Sequence, residues 1–294
     1  MNDKTLTPPS WWIHSRESWK DLLCFFSADL ISIQPNWHKL TIGQSNYNYR
    51  LTLPSKDVDT SYFIQVVNLD NQPLLPKVNQ PPILQRLDQY PALKPWLVKC
   101  YINTHCVRVF KWVDAQCISP RSFDDRFLSS LTDFLIQLHS EKKSFNSTCK
   151  SPIIDITEHL KGYRQIAVQK SPEDSKKIEL CYQHATTLSA EFVADRLCHN
   201  DLNLNNLLWD SHREKLTIID WEYACYSDPM MDIAGLIVNC QLSKRQEEHL
   251  LANYLVKIYL EQIDLSISSK KLSNMKQLFQ HISALWQLAH HPKI

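Results

Sequence analysis

Leu197-Cys-His-Asn-Asp-Leu-Asn-Leu-Asn-Asn206 is the stretch that decides the fold of this 294-residue chain. Asp201 stands two residues after His199 and five before Asn206. The stretch contains too many asparagines to continue a helix, because short polar side chains compete for backbone hydrogen bonds. We therefore predict a loop that displays a carboxylate and an amide at a fixed spacing.

A second stretch, Leu216-Thr-Ile-Ile-Asp-Trp-Glu222, follows it closely in sequence. Asp220 ends an apolar run that predicts a short buried strand. Phosphoryl transfer from ATP needs a carboxylate to accept a hydroxyl proton, and an amide oxygen with a second carboxylate to hold Mg²⁺. Asp201, Asn206 and Asp220 are groups of these three kinds.

The His-x-Asp-x-x-x-x-Asn spacing of His199, Asp201 and Asn206, followed by Asp220-Trp-Glu, resembles the aminoglycoside phosphotransferase and choline kinase superfamily. The two stretches look most like the choline/ethanolamine kinase and bacterial thiamine kinase branches. The resemblance implies an α+β, bilobal, protein-kinase-like fold. It places an N-lobe with an antiparallel sheet and a helix at residues 1–112, and a larger α-rich C-lobe at residues 113–294.

The resemblance also implies a role for each residue of the two stretches. Asp201 would be the catalytic base, while Asn206 and Asp220 would hold the Mg²⁺ that accompanies ATP. His199, which is also counted among the catalytic residues, would stabilise the loop by hydrogen bonds rather than contact the substrate. Asp232, in the pattern Asp-Pro-x-x-Asp-x-Ala, would anchor the loop by bonding its backbone.

The N-terminal part of the chain shows the period-2 alternation of strands, with three apolar segments between residues 37 and 67. A turn between the first two segments lies where the family's phosphate-covering loop sits, and an ordinary hairpin turn is the alternative. Its candidate nucleotide-binding residues are Gly43, Gln44, Ser45 and Asn46.

Gln65 is a departure from the kinase plan. It falls on the predicted third strand, where a Lys or Arg is expected to pair with the α- and β-phosphates. Glutamine can hydrogen-bond a phosphate oxygen but carries no charge. Arg50, Lys77 and Arg86 are the candidate substitutes that the sequence offers.

The predicted acceptor site consists of Trp221, Glu222 and Tyr223, next to the metal ligand. An aromatic wall with one carboxylate suits a compact cation, and choline and thiamine both carry a primary hydroxyl. Core packing of these aromatic residues is the alternative reading. An aminoglycoside needs several carboxylates around a wide cleft, and the C-terminal part of the chain holds few.

Composition narrows the functional class. A formal net charge of +1 gives no general attraction to nucleic acid or to an anionic membrane. Three glycines exclude a Walker A loop and a Rossmann fingerprint. Nine cysteines without zinc spacing, and a polar start without an apolar leader, predict a cytoplasmic protein with reduced thiols.

The sequence thus predicts an ATP- and Mg-dependent kinase of a small cationic alcohol, with no membrane, nucleic-acid or obligate protein partner. A kinase of another alcohol, such as a sugar or an aminoglycoside, stays open. A nucleotide-binding pseudokinase also stays open, because Gln65 is neutral. The clearest helix is predicted to begin at Ser119-Pro120, and further helices follow to the C-terminus.

Overall fold

The structure is a computed structural model that describes residues 12–26, 36–41, 46–54, 59–68, 87, 90–119, 123–143 and 152–290. The chain divides into two compact units. Unit 1 comprises residues 1–73 and 98–114, and unit 2 comprises residues 74–97 and 115–294.

The described part of unit 1 is an antiparallel sheet with one helix, α1 (Arg16–Phe26). The strand order is β1-β2-β3-β5-β4. The strands are β1 (Asn36–Leu40), β2 (Tyr47–Leu53), β3 (Thr60–Val66), β4 (Cys100–Asn103) and β5 (Val107–Lys111).

The two faces of this sheet differ because successive side chains of a strand point to opposite sides. One face carries aliphatic side chains that form a core with α1, including Leu51, Ile64 and Val109, each 0% exposed. The other face carries a polar row, because Gln65 on β3 lies between Asn48 on β2 and Arg108 on β5.

Unit 2 is mainly helical. Its helices are α2 (Asp125–Ser140), α3 (Ile156–Lys170), α4 (Ser175–Leu188), α5 (Pro229–Asn239), α6 (Lys244–Leu260) and α7 (Ser269–His290). Its short strands are β6 (Gln116–Cys117), β7 (Arg196–Cys198), β8 (Leu207–Asp210), β9 (Lys215–Ile218) and β10 (Cys225–Ser227). An antiparallel sheet with a helix, followed by a helical unit, confirms the predicted α+β class.

Two boundaries differ from those predicted. The first long helix of unit 2 begins at Asp125 rather than at Ser119-Pro120, and the Asp124 carboxylate caps it by accepting the Phe127 N–H at 2.8 Å. The described residues 90–97, predicted to lie in the N-lobe, cluster with unit 2. The 3₁₀ helix Pro91–Trp96 packs there, with Trp96 against Phe134 of α2.

Among the described residues, each helix is either too short or too polar to cross a lipid bilayer.

Candidate active site

The β8–β9 hairpin brings the two predicted metal ligands together. Leu207 pairs with Ile218 in the antiparallel register, and the Ile219 N–H donates to the Asn206 carbonyl oxygen at 3.1 Å. Asn206 therefore enters the hairpin beside the point where Asp220 leaves it. Strand pairing, rather than closeness in sequence, makes the two residues neighbours.

Asp201 is held by two asparagine side chains. Asn206 Nδ2 donates to the Asp201 carboxylate at 2.8 Å and to its carbonyl oxygen at 2.8 Å. Asn203 Nδ2 donates to the other carboxylate oxygen at 3.1 Å. The sequence did not single out Asn203, and only the folded loop shows that it orients the proposed base.

The side-chain amide of Asn206 has the orientation that a ligand of Mg²⁺ requires. Both of its hydrogen bonds run to acceptor oxygens of Asp201, so the group that makes them is the NH₂. This orientation leaves Oδ1, a hard oxygen donor, available to a cation beside Asp220. Amide and carboxylate oxygens are ligands that Mg²⁺ prefers.

Two residues of the site adopt the left-handed backbone region, Asn200 at φ 63° and Asp220 at φ 64°. Asn and Asp tolerate this conformation better than other non-glycine residues, although it still stores strain. Asn200 turns the chain directly before Asp201, and its amide donates to the Tyr223 carbonyl oxygen at 3.0 Å. One strained residue directly precedes the proposed base, and the other is the proposed metal ligand itself.

Asp232, in the first turn of α5, accepts hydrogen bonds from the backbone of the loop. Its carboxylate is 1% exposed and accepts the N–H groups of His199 at 2.7 Å and Asn200 at 2.6 Å. The ring of His139 lies 3.3 Å from the same carboxylate, and its other nitrogen lies 2.6 Å from the Tyr254 hydroxyl. The predicted anchoring position of Asp232 therefore lies at the centre of a buried hydrogen-bond network.

His199 is fully buried in the loop and bonds the backbone on both sides. Its Nδ1 lies 3.3 Å from the Asp201 N–H, and its Nε2 lies 3.0 Å from the Ile219 carbonyl oxygen. These partners need an acceptor at Nδ1 and a donor at Nε2, which is one neutral tautomer. Burial also lowers the pKa of His199. The ring links the loop that carries Asp201 to the end of β9.

The pKa of Asp201 is raised to about 6. Burial is the main cause, and the charges of Glu222 and Asp232 add to it. The hydrogen bonds from Asn203 and Asn206 oppose the shift. A carboxyl with this pKa is ionised at neutral pH and accepts a proton more readily than an exposed aspartate.

We expect catalytic efficiency to fall as the pH drops through about 6, because Asp201 is the group that becomes protonated there. The measurement is kcat/KM between pH 5 and pH 8 at fixed Mg²⁺-ATP. A rate that is level down to pH 5 would contradict the assignment of Asp201 as the base.

The predicted acceptor residues separate into a core residue and two residues at the site. Trp221 is 3% exposed, and its ring packs against those of Phe134 at 6.0 Å and His199 at 4.8 Å. Its Nε1–H donates to the Ile218 carbonyl oxygen at 3.1 Å. These contacts are those of a core residue, so Trp221 is not part of the proposed acceptor site.

Glu222 and Tyr223 lie near the proposed base, together with Tyr163 of α3, which sequence reasoning missed. The charge of Glu222 raises the pKa of Asp201. Burial raises the pKa of the Tyr223 and Tyr163 phenols, and the charge of Asp201 raises both further. A tyrosine on an ordinary helical stripe gives no signal in the sequence that it interacts with the proposed base.

The predicted nucleotide-binding residues lie in unit 1. Asn46 Oδ1 accepts the Asn68 N–H at 3.2 Å, while Gly43, Gln44 and Ser45 lie outside the described residues. Gln65 is 7% exposed, and its Oε1 accepts a hydrogen bond from Arg108 Nη1 at 2.7 Å. A cation therefore lies beside the neutral residue on the third strand, at a position that the sequence did not indicate.

A carboxylate held by two amides, beside a hairpin that joins an Asn and an Asp, is an arrangement suited to phosphoryl transfer. The profile of the phosphotransferase enzyme family, APH, matches residues 36–264. The chain belongs to this family, which confirms the resemblance found in the sequence. A small-molecule kinase, the class of enzyme predicted, is the class that its relatives represent.

Several relatives and solved structures are similar to the chain. Protein LicA of Haemophilus influenzae is 30% identical over 132 residues, which cover 43% of this chain and 46% of LicA. A probable choline kinase 2 of Arabidopsis thaliana is 49% identical over 71 residues, 22% of this chain and 20% of that protein. The matches thus span less than half the length of these curated relatives.

The solved structures extend the likeness of fold over most of the chain. Choline kinase LicA from Streptococcus pneumoniae has a TM-score of 0.65 at 19% identity, covering 86% of this chain and 85% of that one. A Plasmodium vivax ethanolamine kinase has a TM-score of 0.65 at 16% identity, covering 99% and 93%. The predicted kinase-like fold is therefore confirmed.

Proposed function

We propose that the protein transfers the γ-phosphoryl group of ATP, with Mg²⁺, to the hydroxyl of a small cationic alcohol of the choline type. The observation that carries the proposal is the Asp201 carboxylate, whose pKa is raised to about 6, held by the amide of one proposed metal ligand. The names of the relatives support the choline type over the thiamine type, which is the second candidate.

In the proposed mechanism, Asp201 orients the acceptor hydroxyl and takes its proton. Asn203 and Asn206 hold the carboxylate in place, so its direction is set before the acceptor arrives. Asn206 Oδ1 and the Asp220 carboxylate would hold Mg²⁺. When bound, the ion neutralises charge that develops during transfer.

The acceptor must bring its hydroxyl to Asp201, so we expect it to meet the groups whose charges interact with that of Asp201. These groups are Glu222 and the phenols of Tyr163 and Tyr223. A carboxylate attracts a quaternary ammonium through charge, and the faces of aromatic rings attract it through cation–π interaction. Together they support a compact cation rather than a sugar or an aminoglycoside.

The test is Mg²⁺-ATP-dependent release of ADP with choline, ethanolamine, thiamine, glucose and kanamycin. We expect the release to depend on choline or ethanolamine, with the Asp201→Asn variant as the blank. Release that depends only on glucose or kanamycin would contradict the cationic acceptor. If no alcohol stimulates the release of ADP while the protein still binds ADP, the result would favour the pseudokinase.

Glu222→Gln is expected to raise the KM for a cationic acceptor about tenfold with little change in kcat, because it removes a ground-state charge contact. It should also lower the pKa of Asp201, since the charge of Glu222 raises it. The acid limb of the pH profile therefore moves to lower pH. Glu248→Gln on the exposed side of α6 is the control, and equal effects of the two variants would contradict the assignment.

A further inference from the structure

The polar row of unit 1 crosses the sheet at the level of Gln65. Register pairs Gln65 with Asn48 on one side and with Arg108 on the other. Asn48 and Gln65 are 8% and 7% exposed, and Arg108 is half-buried. Buried polar side chains on adjacent strands carry a desolvation cost, so a row of them on one face calls for an explanation.

This row lies on the face of the sheet that does not pack against α1. Ile64 and Val66 flank Gln65 along the strand and point into the aliphatic core on the opposite side. Arg108 is flanked in the same way by Val107 and Val109. The guanidinium of Arg108 therefore stands on the same face as the residue at the expected lysine position, one strand away.

We propose that Arg108, oriented by Gln65, is the cation of this sheet that binds the phosphates of the nucleotide. The inference rests on the proposed function, because it assumes that the bound nucleotide is the phosphoryl donor. Arg108 supplies the positive charge that the third strand lacks. Gln65 is then a positioning residue that orients the guanidinium of Arg108.

The hydrogen bond between the two side chains suits this division of roles. Arg108 Nη1 donates to Gln65 Oε1 at 2.7 Å. The amide is neutral, so the bond fixes the direction of the guanidinium without cancelling its charge. A guanidinium carries five N–H donors in a planar fork, and this geometry matches that of phosphate oxygens.

The other candidate cations are less suited to the role. Arg50 lies on the same face, but its guanidinium stacks on the ring of Trp112 at 4.4 Å and donates twice to the Ser61 hydroxyl, at 3.3 and 3.2 Å. These contacts hold it on its own sheet. Lys77 and Arg86 lie outside the described residues.

The experiment is calorimetric binding of ADP, AMP and adenosine to the full chain and its variants. Arg108→Gln should weaken ADP binding by about tenfold or more, because it removes charge-assisted hydrogen bonds to phosphate. Adenosine binding should stay within about twofold, since adenosine has no phosphate. Lys111→Gln, on the same strand with its side chain on the opposite face, is the matched control.

The double variant Gln65→Lys with Arg108→Gln separates charge from folding. It moves the cation to the third strand, and we expect ADP binding to recover to within about threefold of the wild type. No recovery, or an equal loss of ADP and adenosine in Arg108→Gln, would overturn the proposal. A larger loss of ADP binding in Arg50→Gln would assign the role to Arg50 instead.

These outcomes are distinct from failure of the proposed function. ADP binding that depends on Arg108, with no acceptor-dependent turnover, would keep this inference and remove the kinase activity. Turnover of choline by Arg108→Gln with an unchanged KM for ATP would overturn this inference and keep the proposed kinase activity. A wild-type protein that binds no ADP would overturn both.

Discussion

Asp201→Asn is expected to lower turnover by about a thousandfold or more, because it removes the proposed proton acceptor. The same change should stabilise unit 2. A folded-state pKa raised to about 6 means that the folded protein binds a proton more readily than the unfolded chain. The stabilisation from a neutral side chain at this position is present at low pH and is lost as the pH rises through about 6. Asparagine is neutral at every pH and keeps that contribution.

The size of the gain follows from two opposing effects. Neutralising the carboxyl recovers up to about 3 kcal/mol for a shift of roughly two pKa units. Asparagine has one acceptor oxygen, so it loses one of the two amide hydrogen bonds from Asn203 and Asn206. We expect a net gain of about 1 kcal/mol, or a rise of a few degrees in Tm.

Thermal unfolding without Mg²⁺ at pH 7.5 and at pH 5 measures this effect, together with turnover under Mg²⁺-ATP. The variant should melt above the wild type at pH 7.5, and the difference should shrink at pH 5. A variant that keeps its turnover would contradict the role of Asp201 as the base. A lower Tm at pH 7.5 would contradict the raised pKa.

Asp232→Ala is expected to destabilise unit 2 by about 3–5 kcal/mol, because it leaves buried partners of a charged group unsatisfied. The carboxylate accepts two backbone N–H groups, those of His199 and Asn200. Asp232→Asn should cost less but still more than a surface change, since its single oxygen can accept only part of this set.

Denaturant unfolding of the two variants measures the loss, and Asp133→Ala is the control. Asp133 forms an ion pair with Lys257 and is 52% exposed, so its removal should cost less than about 1 kcal/mol. A loss for Asp232→Ala as small as that of the control would mean that the loop does not depend on this anchor.

The sequence predicted which side chains the candidate site contains, because Asp201 and Asn206 belong to one loop and Asp220 ends a short apolar strand. The pairing of β8 with β9 then brings Asn206 and Asp220 together. The catalytic and metal-binding roles of these residues stay predictions. The side-chain amide of Asn203 could not be assigned, because its bond to Asp201 depends on how the loop turns at Asn200.

Features that depend on register or on packing were not predictable. Arg108 lies beside Gln65 only through the pairing of β3 with β5, across 43 positions of sequence. The start of α2 was misplaced because Ser119 and Asp124 are both good N-caps, and only the folded chain shows which side chain accepts the N–H. The interaction of Tyr163 with Asp201 was not predictable either, because nothing in the sequence of its helix distinguishes this tyrosine from a core residue.

The pairing of Leu207 with Ile218 also determines which sequence distances can change among distant relatives. The hairpin meets solvent at its closed end, where residues 211–214 are exposed, and it holds Asn206 and Asp220 at its open end. Residues added or removed in balanced numbers at the closed end lengthen or shorten both strands together, and the two ligands stay side by side. A search for remote homologues should therefore fix the spacing from Asp201 to Asn206 and leave the spacing from Asn206 to Asp220 variable.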